Sequence, residues 1–252
     1  MKKFLVAVML FCAMGSIAWS QQKCEKPEKG SFSAEIQVNP FDQNGRTFSI
    51  DGIKLRYFLN EKNALRLNVD FSGHSEKYSY TPEEEEYSYL SELKSRYKNL
   101  EINLGYERHF GVGTRFDFYA GGEVGLTRYF AKTTGKMMHD GTGSDITISN
   151  AYLPQSAMPD GIPSLGTLSS AIPANIGFRV AALAGVDVYL YKGLYIGTEL
   201  NFSIKHVKTK QVEATFMDYT SNEEITIKTE DESKNTDFGF HIEPYVRLGW
   251  TF

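Results

Sequence analysis

The last sixteen residues of the chain, 237–252, alternate strictly between apolar and polar or small side chains. The even positions, ending in Trp250 and Phe252, are apolar, whereas the odd positions include Asp237, Glu243 and Arg247. Successive side chains of a β-strand point to opposite faces, so this pattern predicts a strand with one apolar and one polar face. A tilted strand of about 9 to 11 residues crosses a bilayer, and this segment is long enough to do so.

Seven earlier segments alternate in the same way, and with the last one they predict eight antiparallel strands. The seven segments are 31–39, 48–58, 64–73, 98–110, 115–130, 176–191 and 194–206. Gly52 interrupts the phase of the second segment and predicts a β-bulge there. Pro244 cannot donate a ladder hydrogen bond and predicts an irregularity in the last strand.

The connections between these segments are sorted by length. Short turns at 59–63, 111–114 and 192–193 alternate with long connections at 74–97, 131–175 and 207–236; the first connection, around 42–47, is a short exception. Transmembrane barrels have short periplasmic turns and long extracellular loops, so the sorting is typical of that class. Within the connections 74–97 and 207–236 the residues also alternate between apolar and polar side chains. This pattern predicts that each connection forms a hairpin that projects beyond the membrane.

The ending Tyr245-Val-Arg-Leu-Gly-Trp-Thr-Phe252 resembles the C-terminal signature of Gram-negative outer-membrane β-barrels, and the chain is most similar to the small eight-stranded OmpA and OmpX class. The resemblance implies a closed, monomeric, all-β up-and-down barrel in the cell outer membrane. It also implies that the barrel-assembly machinery reads a C-terminal signal. The residues of that signal are Tyr245, Leu248, Trp250 and Phe252.

The amino-terminus has the three parts of a secretory signal peptide. Lys2 and Lys3 precede an apolar run from 4 to 14, and small residues follow at Ala18 and Ser20. The sequence thus predicts a signal peptide at 1–20, a periplasmic leader at 21–30 and the barrel at 31–252. After cleavage Cys24 is the one remaining cysteine, which excludes a disulfide scaffold and a cysteine-rich metal site.

Composition excludes one functional class and fits the barrel. The formal net charge is −4, so there is no basic excess to bind nucleic acid. The mean hydropathy of −0.34 is low for a membrane protein of helices. In a barrel only alternate residues face lipid, and an aromatic content of 13% fits girdles at the membrane interfaces.

The polar face of the predicted strands is rich in charge. An eight-stranded interior is just wide enough to be filled by side chains, and buried charges must be paired, so the sequence predicts an interior charge network. Its predicted members are Lys54, Arg56, Arg66, Glu101, Glu107, Glu123, Arg179, Glu199, Glu243 and Arg247, with further inward carboxylates at Glu35 and Asp187. A narrow or gated pore and a chemical role are the alternatives.

No catalytic, cofactor or metal site is predicted. None of the five histidines, among them His206 and His241, forms a convincing triad with a nucleophile and an acid. The acidic run 83–86 could attract Ca²⁺, but a solvated tip is the preferred interpretation. The segment 137–140 contains Met and His, and a flexible surface loop is preferred there over a soft-metal site.

These observations predict a structural or surface-interaction scaffold that is not an enzyme. The alternatives are, first, a small passive channel and, second, a lipid-modifying enzyme. The expected partners are outer-membrane lipid, the barrel-assembly machinery, and an extracellular partner at the connections 74–97 and 131–175.

Overall fold

The computed structural model describes residues 26–38, 50–81, 88–111, 114–154, 170–218, 223–229, 233–242 and 246–252. Among these residues every regular element is a β-strand, every pairing is antiparallel, and no helix is long and apolar enough to span a membrane. The strands are β1 (Phe32–Val38), β2 (Ile50–Asn60), β3 (Asn63–Ser79), β4 (Ser88–His109), β5 (Phe116–His139), β6 (Thr142–Ser149), β7 (Ala151–Tyr152), β8 (Ile172–Pro173), β9 (Asn175–Tyr191), β10 (Leu194–Thr209), β11 (Glu213–Asp218), β12 (Glu223–Lys228), β13 (Lys234–Ile242) and β14 (Val246–Thr251).

Eight strand positions form a closed ring. The pairings run β1, β2, β3, β4, β5, β9, β10 and β14, and β14 pairs back onto β1. β14 pairs with residues 194–197 of β10, and β13 pairs with residues 200–208 of the same strand. β13 and β14 together therefore occupy the eighth position. The predicted all-β antiparallel fold with eight strand positions is confirmed. The predicted irregularity at Pro244 lies outside the described residues, as do the signal peptide at 1–20 and the first connection.

The predicted alternation sets the two faces of the ring. On β5, Phe116, Phe118 and Leu126 are exposed on the outside, whereas Tyr119 and Glu123 are buried inside. The apolar side chains on the outside are those that would face lipid, because only a hydrocarbon solvent favours such a surface. The polarity of β5 is therefore the reverse of that of a strand in a soluble protein: its apolar side chains are exposed and its polar side chains are buried.

The predicted bulge near Gly52 is present. Gln37 is opposite Gly52 while Val38 is opposite Ile50, so Asp51 is the extra residue of β2. An extra residue resets the phase of the strand, which is why Ile50 does not follow the alternation of Ile53 and its successors.

Three ring strands continue beyond the ring and carry a second structure, which we call the cap. The cap comprises residues 74–97 of β3 and β4, residues 131–139 of β5, and the strands β6, β7, β8, β11 and β12. β6 folds back on β5, β11 pairs with β6, and β12 pairs with β11. The turn between β5 and β6 is Asp140-Gly141, with φ of 46° and 74° at its two residues. This is the two-residue type of hairpin that matches strand twist.

The cap has an apolar core. Its buried members are Leu90, Leu93, Ile146, Ile148, Ala151, Leu153, Ala171, Val212 and Ala214, with Tyr78, Phe216 and Ile227 packed against them. The hairpins predicted for β3–β4 and for β11–β12 are present, and their projection beyond the membrane stays a prediction. The prediction of a flexible loop around 137–140 is wrong: Met137 is buried in β5, because this segment pairs with both β4 and β6.

Candidate functional site

Nine charged side chains meet inside the ring, and we call them the interior cluster. They are Glu35, Lys54, Arg56, Arg66, Glu107, Glu123, Asp187, Glu199 and Arg247, and none is more than 6% exposed. Each of the eight ring strands contributes at least one member. The alternation places them there, since each occupies the inward phase of its strand.

Glu199 on β10 lies at the centre of the cluster. Its carboxylate accepts hydrogen bonds from Arg66 at 3.0 and 3.1 Å, Arg247 at 2.9 Å, Lys54 at 3.3 Å and the hydroxyl of Tyr119 at 2.7 Å. Charge-assisted hydrogen bonds of this kind are the stronger class. One carboxylate therefore holds donors from four other strands of the ring.

Arg56 on β2 forms a second centre. Its guanidinium lies 3.0 Å from Glu35, 2.8 Å from Glu107 and 2.6 Å from Asp187. The same group stacks over the ring of Tyr119, with its carbon 4.6 Å from the ring centroid. Arginine suits this position because its planar fork bonds to carboxylates and its face packs on an aromatic ring.

Glycines make room for the aromatic residues of the interior. A Cβ on Gly185 would collide with the Tyr119 hydroxyl, and one on Gly249 would collide with the ring of Tyr195. The Tyr195 hydroxyl donates to Glu35 at 2.9 Å. Tyr119 and Tyr195 were not among the site residues predicted from the sequence; their inward phase, with glycine directly opposite on the neighbouring strand, is the signal that could have found them.

The residues predicted for the interior divide into three groups. Lys54, Arg56, Arg66, Glu107, Glu123, Glu199 and Arg247 lie in the cluster, and Arg179 joins it through Glu123. Glu101 lies farther toward the cap, 3.3 Å from the half-buried Lys205 and 3.6 Å from Arg179. Glu243 lies outside the described residues.

The charges of the cluster balance once Arg179 is included. There are then five cations and five carboxylates. Buried ions keep their charge only when they are paired and hydrogen-bonded. The arrangement therefore fills the ring with a charged core, and at this level the side chains of Lys54, Arg56 and Glu107 are wholly inaccessible to solvent.

Three of the four residues named for the assembly signal lie on the outer face of the ring. Leu248, Trp250 and Phe252 are exposed, and Phe252 exchanges backbone hydrogen bonds with Phe32 on β1 at 2.8 and 3.2 Å. Tyr245 lies outside the described residues. The recognition of these residues by assembly machinery stays a prediction.

The histidines have polar partners of different kinds. His109 is buried between Asp117, 3.0 Å from its Nδ1, and Glu107, 3.3 Å from its Nε2. His206 is exposed, and its Nδ1 lies 2.8 Å from the hydroxyl of Thr236. Within the described ranges no group of three or more His, Cys, Asp or Glu residues could hold a metal ion. The acidic run 83–86 falls outside those ranges.

An aromatic cluster lies where the ring meets the cap. Tyr97 stacks on Tyr129 with ring centroids 5.2 Å apart and meets Tyr152 edge-on at 5.1 Å. His74 lies 6.0 Å from Tyr97 and bonds to Glu76 at 2.8 Å. Burial, together with a hydrogen bond to Glu76, raises the pKa of Tyr152 to about 12. These contacts fix the cap on the ring.

Comparison with known proteins gives one family and two structures. The model of the OmpA-OmpF-like porin family matches residues 37–252. The chain is similar to the crystal structure of Ail, the attachment invasion locus protein of Yersinia pestis, with 12% identity and a TM-score of 0.30 over 89% of this chain and 99% of that chain. It is also similar to the outer membrane protein OprG from Pseudomonas aeruginosa, with 13% identity and a TM-score of 0.37 over 91% of this chain and 99% of that chain. No curated protein sequence matches the chain.

Proposed function

The chain belongs to the OmpA-OmpF-like porin family of outer-membrane β-barrels, and from this premise we propose that it is a non-conducting barrel that presents the cap to partners outside the cell. The single observation that carries the proposal is the interior cluster. Side chains from all eight ring strands meet there and leave the side chains of Lys54, Arg56 and Glu107 without access to solvent. An ion path would have to break several buried ion pairs at once, each of which costs several kcal/mol to separate.

The cap supports the second half of the proposal. It is a sheet with its own apolar core, so its outer surfaces are held in a fixed geometry. Binding to a preformed surface avoids the entropy cost of ordering a loop. The cap includes the described strands of the connections 74–97 and 131–175, for which the sequence predicts an extracellular partner.

The orientation can be tested by labelling in intact cells. Asp140 lies at the tip of the β5–β6 hairpin and Lys192 lies in the β9–β10 turn at the opposite end of the ring. In a Cys24→Ser background, Asp140→Cys should react with a membrane-impermeant maleimide, and Lys192→Cys should react only after the outer membrane is permeabilised. The reverse result would overturn the proposed orientation. N-terminal sequencing of the same protein tests cleavage after Ser20.

A small passive channel is the second candidate, and the family's description as porins favours it. The two candidates differ in single-channel conductance of the refolded protein, residues 21–252, in a planar bilayer. We expect no steady steps from the wild type. Steps that change with Arg247→Gln in the interior, but not with Arg96→Gln on the outer face, would establish a pore through the ring and contradict the non-conducting barrel.

A lipid-modifying enzyme is the third candidate, and the absence of catalysis stays a prediction. His109 has two carboxylates as partners rather than a nucleophile, and His206 contacts the Thr236 hydroxyl without a described carboxylate partner. Release of acyl chains from outer-membrane lipid by the wild type, with loss of that activity in His206→Gln, would overturn the prediction.

A further inference from the structure

The outer face of the sheet carries four cations at the boundary between ring and cap. We call Arg96, Lys98, Arg128 and Lys132 the basic patch; all four are exposed. Arg96 on β4 lies directly opposite Lys132 on β5. In the same register Lys98 is opposite Phe130 and Arg128 is opposite Leu100, so the four side chains occupy three adjacent rows of one face.

Carboxylates are missing from the immediate surroundings of the basic patch in the described part of the chain. The register neighbours on β3 and β6 are Gly73, Ser75 and Ser149. Glu213 lies two strands away from Lys132 in the same row and is bonded to Lys228 at 2.8 Å. Glu92 and Asp145 lie two rows farther into the cap, and Glu92 is bonded to Lys77 at 3.1 Å. The described residues thus leave the charge of the patch unbalanced.

Directly opposed like charges destabilise a pair of strands. Arg96 and Lys132 form one such pair, and Lys77 and Lys94 form another in the next row of the same face. At the second pair the protein supplies an anion, because Glu92 is bonded to Lys77 at 3.1 Å, whereas no ion pair within the described residues compensates Arg96 and Lys132. The Arg96–Lys132 pair therefore indicates an external anion that lies between the two side chains.

The surface next to the patch identifies the kind of ligand. Phe71 and Leu100 are exposed apolar residues in the row of Arg128, and Leu126 is exposed in the next row on the ring side. Arg128 lies over the ring of Phe130, with its guanidinium carbon 4.4 Å from the centroid, so the boundary itself is amphipathic. A molecule that fits both surfaces has acyl chains along the apolar side chains and an anionic head at the cations.

We propose that the basic patch binds the phosphorylated headgroup of a lipid in the outer leaflet, whose acyl chains lie against the exposed apolar side chains of β3, β4 and β5. Arg96 and Lys132 contact one phosphate from its two sides, and Lys98 and Arg128 hold the lipid at the level of the ring. Arginine matches phosphate with two parallel hydrogen bonds, and lysine adds a point charge. The site rests on the proposed orientation, in which the cap lies outside the cell.

The test uses the full mature protein in nanodiscs of phosphatidylcholine. Fluorescent diphosphorylated lipid A is titrated against wild type and against the variant with Arg96, Lys98, Arg128 and Lys132 all changed to Gln. Each cation near a charged lipid surface contributes about 1 kcal/mol, so the affinity of the variant should fall by roughly a hundredfold or more at low salt. The wild type should bind the same lipid with its phosphates removed about as weakly as the variant binds the phosphorylated form.

A charge-matched control separates the patch from general electrostatics. Lys29, Lys62, Arg108 and Lys192 are exposed cations near the opposite end of the ring, and changing all four to Gln alters the net charge equally. This control should keep the wild-type affinity. Equal loss in both variants, or equal affinity of the wild type for phosphorylated and dephosphorylated lipid, would overturn the site.

The source of the phosphate and the orientation are tested separately. Inorganic phosphate at millimolar concentration should leave the bound lipid in place, because it cannot use the apolar surface. Displacement by inorganic phosphate would overturn the lipid site in favour of a free-anion site. A nanodisc exposes both ends of the protein to the same lipid, so a failure of the proposed orientation appears in the maleimide experiment alone.

Discussion

The ring part and the cap part of β4 belong to one sheet, but their apolar residues lie on opposite faces of it. In the ring its even-numbered residues Leu100, Ile102 and Leu104 are exposed, and the odd-numbered Glu107 is buried. In the cap the even-numbered Lys94 and Arg96 face outward, and the odd-numbered Leu93 is buried in the apolar core. The direction of the side chains does not change along the strand; their chemistry does.

The surroundings of each part decide which of its faces is apolar. The ring is surrounded by hydrocarbon, so its outside is apolar and its interior must satisfy charges internally. The cap is surrounded by water, so it has an ordinary apolar core. The change on the outer face occurs over two adjacent rows of the register, in which Lys98 lies opposite Phe130 and Leu100 lies opposite Arg128. In the proposed orientation these rows lie at the boundary of the membrane.

The largest effect is expected from breaking the charged core. Glu199→Ala removes the carboxylate that Lys54, Arg66 and Arg247 share. Removing one partner of a buried ion pair costs about 3 to 5 kcal/mol, and the free energy of unfolding should fall by that amount. The measurement is urea unfolding in vesicles followed by the fluorescence of Trp250. Glu224→Ala, on the exposed strand β12, is the control and should stay within about 0.5 kcal/mol of the wild type.

An intermediate and local effect is expected from breaking the apolar core of the cap. Leu93→Ala leaves a cavity among Ile146, Ile148 and their neighbours, at a cost of about 2 to 5 kcal/mol. Hydrogen exchange should accelerate in β6 and β11, while the urea midpoint of the ring stays unchanged. Lys94→Ala, the adjacent residue on the outer face, should leave exchange unaltered. A drop in the ring midpoint with Leu93→Ala would show that the two cores unfold as one unit and would refute their independence.

The smallest effect is expected at the turn that starts the cap. Gly141 has a φ of 74° and open space around the position that a Cβ would occupy, so Gly141→Ala is strained by its backbone conformation alone. The expected cost is about 1 to 2 kcal/mol, seen as faster exchange at the tips of β5 and β6. Asp140→Gly, at a φ of 46°, should slow the same exchange or leave it unchanged. Faster exchange in Asp140→Gly than in Gly141→Ala would contradict this assignment of strain.

The ring could be predicted from the sequence because each ring strand carries its own evidence. Alternation identifies a strand without knowledge of its partner, and Lys192-Gly193 and Gly52 mark a turn and a bulge by local chemistry. The alternation also identified which charged side chains face inward, and most of the charges that meet in the interior cluster were predicted in this way. Which carboxylate meets which cation could not be read, because Glu199 and Lys54 are neighbours only after the sheet closes.

The cap was predicted only in part: its hairpins β3–β4 and β11–β12 follow from alternation in the sequence, whereas the extension of β5 and the strand β6 were missed. The inversion of polarity after Phe130 was interpreted as the end of a strand, whereas β5 continues to His139. Asp140-Gly141, a strong hairpin dipeptide, was present in the sequence and indicated the β5–β6 turn. The pairing of β6 with β11 has no local signal, since the two strands come from different long connections.

The closure of β14 onto β1 has a consequence for the time course of folding. Arg247, on the last strand, lies 3.6 Å from Glu35, on the first, so these charges meet only when the two ends of the chain come together. Contacts between distant parts of a sequence form slowly, because the intervening chain must be ordered first. Any intermediate that lacks the final strand holds two open edges and an incompletely neutralised interior, both of which are unfavourable in lipid. Insertion and closure should therefore be concerted, with few long-lived partly built species between an unassembled chain and a finished protein.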